Sequence, residues 1–107
     1  MPLFAVIRNR GAAWRADRTP EDQEAYRPHA THMKQLYEEG TVVLGGWLDD
    51  TGDVLLIMRA ASPSDVLSRL RADPWTGLDI LPISRVAPWS LGLGTLPAAG
   101  GSSMRLE

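Results

Sequence analysis

Cysteine is absent from this chain of 107 residues. That excludes disulfides, thiolate nucleophiles and cysteine-held zinc or iron–sulfur centres. It suits a reducing compartment, so a cytoplasmic location is expected. Neither charge is in excess: 11 Lys and Arg stand against 13 Asp and Glu, for a net charge of -2. The two signs are interspersed, so no basic field invites nucleic acid and no charged tail invites a partner. No stretch approaches the roughly 20 apolar residues of a membrane helix. The opening "MPLFAVIRNR" has no basic region ahead of its short apolar run and does not read as a secretory signal. A phosphate-binding glycine loop is also missing, since Gly92 and Gly94 in "GLG" precede no helix. Histidine occurs twice and phenylalanine once, whereas tryptophan occurs four times.

What remains is ordinary for a soluble globular chain, with 44% hydrophobic and 22% charged residues. The length fits one domain, expected over residues 1–96. The glycine-, proline- and serine-rich stretch 97–107 is expected to be a flexible tail, with Leu106 and Glu107 reading as vector-derived.

"LFAVIRN" (3–9) reads as a buried strand. Thr19-Pro20-Glu21-Asp22 is a good helix start, with a cap, a first-turn proline and acids for the dipole. The helix is expected to run to Glu39 and stop at Gly40. Pro28 should kink it, or split it near Tyr26 and Arg27. "TVVLGGWLDD" is strand-like, and Gly45-Gly46 suggests a bulge or a close approach to the backbone. A turn at 49–53 leads into a strand over 54–60. Ser62 caps a second helix with Val66, Leu67 and Leu70 on its apolar face, and "ADPWTG" closes it. "LDILPISRVAPW" reads as a last strand, with Pro82 implying an edge or a bulge.

The order β-α-β-β-α-β predicts an α+β, ferredoxin-like fold: a four-stranded antiparallel sheet with two helices on one face. The strands are apolar on nearly every residue, so the second face should form an interface. Two sheets facing across a two-fold axis, a homodimeric α+β barrel, is the simplest solution.

The two histidines lie in "YRPHATHMKQLYEEG". At about 100° per residue, Ala25, His29, Met33 and Leu36 share the stripe that must face the sheet. Tyr26 falls near that stripe and Asp22 at its upper end. His32 lies about 60° to one side. Three readings are open for His29. It can be a core histidine bonded to backbone. It can be a metal ligand, although paired helical histidines favour i, i+4 spacing and a third ligand would have to come from Asp22 or another carboxylate, which no motif supplies. Or it can be an acid–base group, which needs a cavity and an orienting carboxylate. Arg8 and Arg10 end the first strand, where solvated charges are the default and contact with an anionic substrate is the alternative.

The chain resembles the YCII-related proteins of the dimeric α+β barrel superfamily over about residues 3–89. The resemblance rests on "RPHATHMKQLYEEG" followed by "TVVLGGWLDDTGDVLLI", then "SPSDVLSRLRADPW" and "ISRVAPW". The family's histidine eleven residues before the helix-ending glycine corresponds to His29 before Gly40. Its acidic residue in an Asp-Pro-aromatic step corresponds to Asp73-Pro74-Trp75. The resemblance implies a catalytic His29–Asp73 dyad beside a pocket between helix, sheet and dimer partner. There are departures. Gly45-Gly46-Trp47 replaces the family's common Gly-Pro, which puts an indole at the expected pocket rim. "RPH" is one residue shorter than usual, so a role for Arg27 does not carry over.

The substrate-binding candidates are Trp47, Trp14, Gly46, Trp75, Arg8 and His32. Tryptophan suits a flat ligand, while Trp75 and Trp89 equally suit the core or the dimer seam. The expected function is that of a small lyase- or isomerase-type enzyme without cofactor or metal. It would use acid–base catalysis on a carbonyl-containing, aromatic or polyketide-like metabolite. A non-catalytic ligand- or partner-binding dimer is the rival, and a cofactor-free monooxygenase is allowed by fold analogy.

Overall fold

The computed structural model describes residues 1–97. The tail beyond Pro97, including Leu106 and Glu107, lies outside the described residues. Four strands form one antiparallel sheet in the order β2-β3-β1-β4. They are β1 (Leu3–Arg8), β2 (Val42–Trp47), β3 (Val54–Arg59) and β4 (Ile83–Trp89). Three helices join them: α1 (Tyr26–Glu38), α2 (Pro63–Arg71) and the short α3 (Pro74–Gly77). The architecture is α+β and compatible with a ferredoxin-like pattern. No helix among the described residues is long and apolar enough to cross a membrane.

Strand alternation builds the core. Phe4 and Val6 on β1, Leu56 and Met58 on β3 and Val42 on β2 point one way. They meet Leu36 of α1 with Val66 and Leu70 of α2. Val6, Met58, Val66 and Leu70 are fully buried, each worth about 1.5–3 kcal/mol of transfer free energy. Both long helices therefore cover the same face of the sheet. Ser62 accepts a hydrogen bond from the Asp65 N–H at 3.1 Å, capping α2 as its sequence suggests.

The opposite face carries Leu3, Ala5 and Ile7, with their cross-strand partners Leu55, Ile57, Arg59, Arg85, Ala87 and Trp89. It is not uniformly bare. Leu55 is 39% exposed, whereas Ile57 near the middle is 7% exposed.

Several boundaries differ from those read in the sequence. Pro20–Asp22 form one 3-10 turn, and α1 begins only at Tyr26. Pro28 therefore sits in the first turn of α1, where its missing N–H has no helical partner to lose, and it produces no kink. The bulge in β2 falls between Val42 and Leu44 rather than at the glycines. At Gly45 a Cβ would lie 2.9 Å from the end of the Leu56 side chain, which would have to shift to admit it. The last strand starts at Ile83. Residues 78–82 instead pair with the segment after β1, through Asn9 to Pro82 and Gly11 to Ile80.

Candidate active site

Asp73 lies between α2 and α3 and is fully buried. It caps α3, its Oδ1 accepting the Trp75 N–H at 3.0 Å. The same carboxylate receives His29 Nδ1 at 2.8 Å to Oδ2 and 3.0 Å to Oδ1. Helix periodicity carries His29 toward the sheet side of α1, and chain reversal after α2 brings Asp73 to meet it. An Nδ1 facing a carboxylate carries a proton, which leaves Nε2 as the ring nitrogen not engaged by Asp73. Nε2 makes no hydrogen bond among the described residues, and the His29 side chain is 14% exposed.

A third group completes the cluster. Arg8 Nη1 donates to Asp73 Oδ2 at 2.8 Å. Its Nε donates to the Leu81 carbonyl at 3.0 Å, and its Nη2 donates to Thr76 Oγ1 at 2.9 Å. Thr76 Oγ1 in turn donates to the Leu70 carbonyl at 2.7 Å. Arg8 is 0% exposed. The default expectation of a solvated strand-end charge is therefore wrong, and so is direct contact with a substrate. Its alternation with Phe4 and Val6 places it on the helix face of β1. That period-2 pattern was the sequence signal for its burial. Beside it, the β1–β4 register shifts between Ile7 and Arg8, a bulge of the kind that re-aims a side chain near a site.

Trp75 forms the wall. Its ring stacks on the His29 imidazole with centroids 3.7 Å apart and planes 7° from parallel. Its Nε1 donates to the Glu24 carbonyl at 2.6 Å, which pins the loop ahead of α1. Trp75 is 3% exposed, so it holds the imidazole rather than offering an open face to a ligand. Trp14 meets Trp75 edge-on at 5.6 Å, and the Arg10 guanidinium covers Trp14 at 4.4 Å. Gln23, unremarked in the sequence, is buried and ties the loop together through the Arg15 N–H and the carbonyls of Arg15 and Arg18.

The electrostatics follow from burial and pairing. Burial alone would raise the Asp73 carboxyl. The hydrogen bond from His29 and its charge when protonated, the charge of Arg8 and the Trp75 N–H outweigh that, and hold the carboxyl below its ordinary value. Burial pulls the Arg8 guanidinium down while Asp73 pulls it up; it remains a cation.

The other candidates fall elsewhere. His32 Nε2 donates to the Arg69 carbonyl at 2.8 Å and ties α1 to α2, with no bond to Asp73. Gly46 is paired with Leu55 on the opposite sheet face, with nothing within 4 Å of a Cβ. The close approach expected at Gly46 is absent among the described residues. Trp47 is 59% exposed. It shares a cross-strand row with Val54 and Arg8, about 10 Å from Arg8 at two strand spacings. Arg27 is exposed. Two shallow depressions line the far side of the helices, one at Glu39, Thr41 and Arg59 and the other at His32, Gln35 and Ala72. Neither includes His29 or Asp73. Among the described residues no three His, Asp or Glu side chains gather to hold a metal ion.

No protein-family model, curated protein or solved structure matches the chain.

Proposed function

We propose that the chain is a small acid–base enzyme of the lyase or isomerase type, with His29 as the proton-transferring group and Asp73 as its orienter. The observation that carries this reading is the His29 Nδ1–Asp73 contact at 2.8 Å with Nε2 left without a hydrogen bond among the described residues. A fixed Nδ1–H tautomer is what a general base needs, because it keeps the Nε2 lone pair available. Nε2 would remove a proton from the carbon next to a carbonyl. The C–H bond breaks, an N–H bond forms, and the electron pair moves into the carbonyl to leave an enolate. Return of that proton to another carbon is isomerisation. Its delivery to a departing hydroxyl, with expulsion of water, is dehydration. Neither outcome calls on a residue beyond the cluster.

The resemblance to YCII-related proteins supports the same two residues and adds a homodimer of the α+β barrel kind. In that reading the face bearing Leu3, Ile7, Leu55 and Trp89 meets its copy, and the substrate lies between Nε2, Trp14, Trp47 and the second protomer. A carbonyl-containing, aromatic or polyketide-like metabolite would suit tryptophan walls. A cofactor-free oxygenation remains fold analogy alone.

A second reading, a non-catalytic ligand- or partner-binding dimer, is favoured by one observation: the His29 side chain is only 14% exposed. Hydrogen exchange decides between the two. A panel of small carbonyl compounds is incubated with the protein in deuterated water and followed by proton NMR. The enzyme reading expects exchange next to the carbonyl for at least one compound, lost in His29→Gln and Asp73→Asn. Exchange that persists in both variants refutes the assignment, and saturable binding without exchange supports the module.

A further inference from the structure

The dyad has a third member on the far side of the carboxylate, and its charge has a consequence for the base. A buried carboxylate must be balanced by a cation. Two groups can supply it here. Arg8 Nη1 and His29 Nδ1 each lie 2.8 Å from the same oxygen, Asp73 Oδ2. If the imidazole balanced Asp73, it would do so by carrying a second proton on Nε2, and a protonated Nε2 cannot act as a base. Arg8 cannot give up its proton, so it balances the carboxylate permanently.

We infer that Arg8 is a positioning residue whose fixed charge neutralises Asp73, so that His29 keeps an unprotonated Nε2 while still donating from Nδ1. This rests on the acid–base reading of His29 and assigns to it a residue that never touches the substrate. The burial is specific to that task. Arg8 is 0% exposed, and each of its three nitrogens has an acceptor fixed by a different segment: Asp73 ahead of α3, Thr76 within α3 and the Leu81 carbonyl after it. Swinging away would leave all three unsatisfied.

The groups around the imidazole leave Arg8 as the only permanent cation in its cluster. Asp73 faces Nδ1, and neutral Trp75 covers one ring face. Tyr26, on the same helix, lies with its ring 6.3 Å away. Met33 contributes a sulfur that faces Arg8 at 3.7 Å. Arg10 is held beyond Trp14. Arg8 and His29 share one oxygen and are therefore within about 6 Å of each other, close enough for a unit charge to change a neighbour's proton affinity tenfold or more.

The test is the titration of His29 followed by nitrogen-15 NMR of the imidazole, which requires no substrate. Arg8→Met, with Arg8→Gln as a second neutral variant, should raise the His29 midpoint by at least one pH unit above the wild-type value. Asp73→Asn should move it the opposite way. Arg8→Lys keeps the charge and should stay within about half a unit of wild type. A merely structural role for Arg8 would instead send the neutral variants toward the free imidazole value near 6.5 together with Asp73→Asn, with collapsed amide spectra. If Asp73→Asn leaves the titration unchanged, the dyad itself is wrong. If Asp73→Asn moves it and neither neutral Arg8 variant does, or if Arg8→Lys moves as far as Arg8→Met, the Arg8 inference alone is overturned.

Discussion

Replacing Asp73 with asparagine should be among the most destabilising single changes in the chain, and its cost should shrink in acid. The carboxylate accepts from His29, from Arg8 and from the Trp75 N–H, with no exposure to water. Asparagine keeps the shape and one acceptor oxygen but leaves the buried Arg8 guanidinium without its anion. Removing one partner of a buried pair costs about 3–5 kcal/mol, against a total of about 5–15 kcal/mol for a domain. With a urea slope near 1 kcal/mol per molar, typical of small proteins, the midpoint should fall by about 3 M or more at pH 7. The sign with pH follows from the lowered carboxyl. Between the unfolded value near 3.9 and the lower folded one, the unfolded chain holds the proton and the folded chain does not, so stability rises with pH there. The contribution of Asp73 is complete above about pH 4 and is lost as pH falls through its folded value, by up to about 1.4 kcal/mol per pH unit. Urea melts of both proteins from pH 2.5 to 7 read this directly. The gap between wild type and Asp73→Asn should narrow as pH falls below about 4. A gap under about 1 kcal/mol at pH 7, or one that does not narrow between pH 4 and 2.5, refutes the account of the cluster.

Other changes separate parts of the fold from parts of the site. His29→Gln should abolish proton exchange on any carbonyl substrate while moving the thermal midpoint by only a few degrees, because the imidazole sits at the margin of the core rather than within it. Trp75→Leu should cost about 3 kcal/mol, through lost ring burial, the stack on His29 and the bond to Glu24; calorimetry that finds under about 1 kcal/mol rules out its role as the wall. Gly11→Ala should destabilise strongly, since its Cβ would collide with the Asp79 backbone carbonyl. Gly46→Ala, with nothing within 4 Å, should leave a protomer's stability unchanged within about 0.5 kcal/mol. Leu55→Asp on the outer sheet face should convert a dimer to monomer in light scattering without loss of secondary structure; a wild type that is monomeric at high concentration removes the barrel reading.

The sequence was most informative where one periodicity dominates. The four strands and two main helices were legible because apolar alternation and capping residues agree locally. Ser62 caps α2, and Gly40 takes the positive φ of 86° that ends α1. It was least informative where a turn signal could be satisfied in two ways. Thr19-Pro20 starts only a 3-10 turn, because Gln23 draws the loop backbone onto its own amide. The chain then re-enters the helix through Ala25 at φ 57°. That left-handed residue has no sequence signature of the glycine kind.

The site shows the same division. Helical spacing alone put His29 on the sheet-facing stripe and His32 beside it, but gave neither a partner. The structure gives each a partner 44 and 37 residues away in the chain, a carboxylate for one and a backbone carbonyl for the other. A histidine bonded to a carbonyl is a satisfied polar group; a histidine bonded to a buried carboxylate has its tautomer fixed by a charge. The chemistry therefore depends on what keeps that charge in place. No local pattern around Asp73 names its counter-ion, because the counter-ion enters from β1 at the far end of the sequence. The alternation Phe4-Val6-Arg8 nonetheless contains the clue. A strand that places an arginine on its buried face must also fold an acid against it, and Asp73 is the buried acid among the described residues. Arginine at a core-facing position is thus the feature from which the carboxylate, and through it the histidine paired with it, can be found.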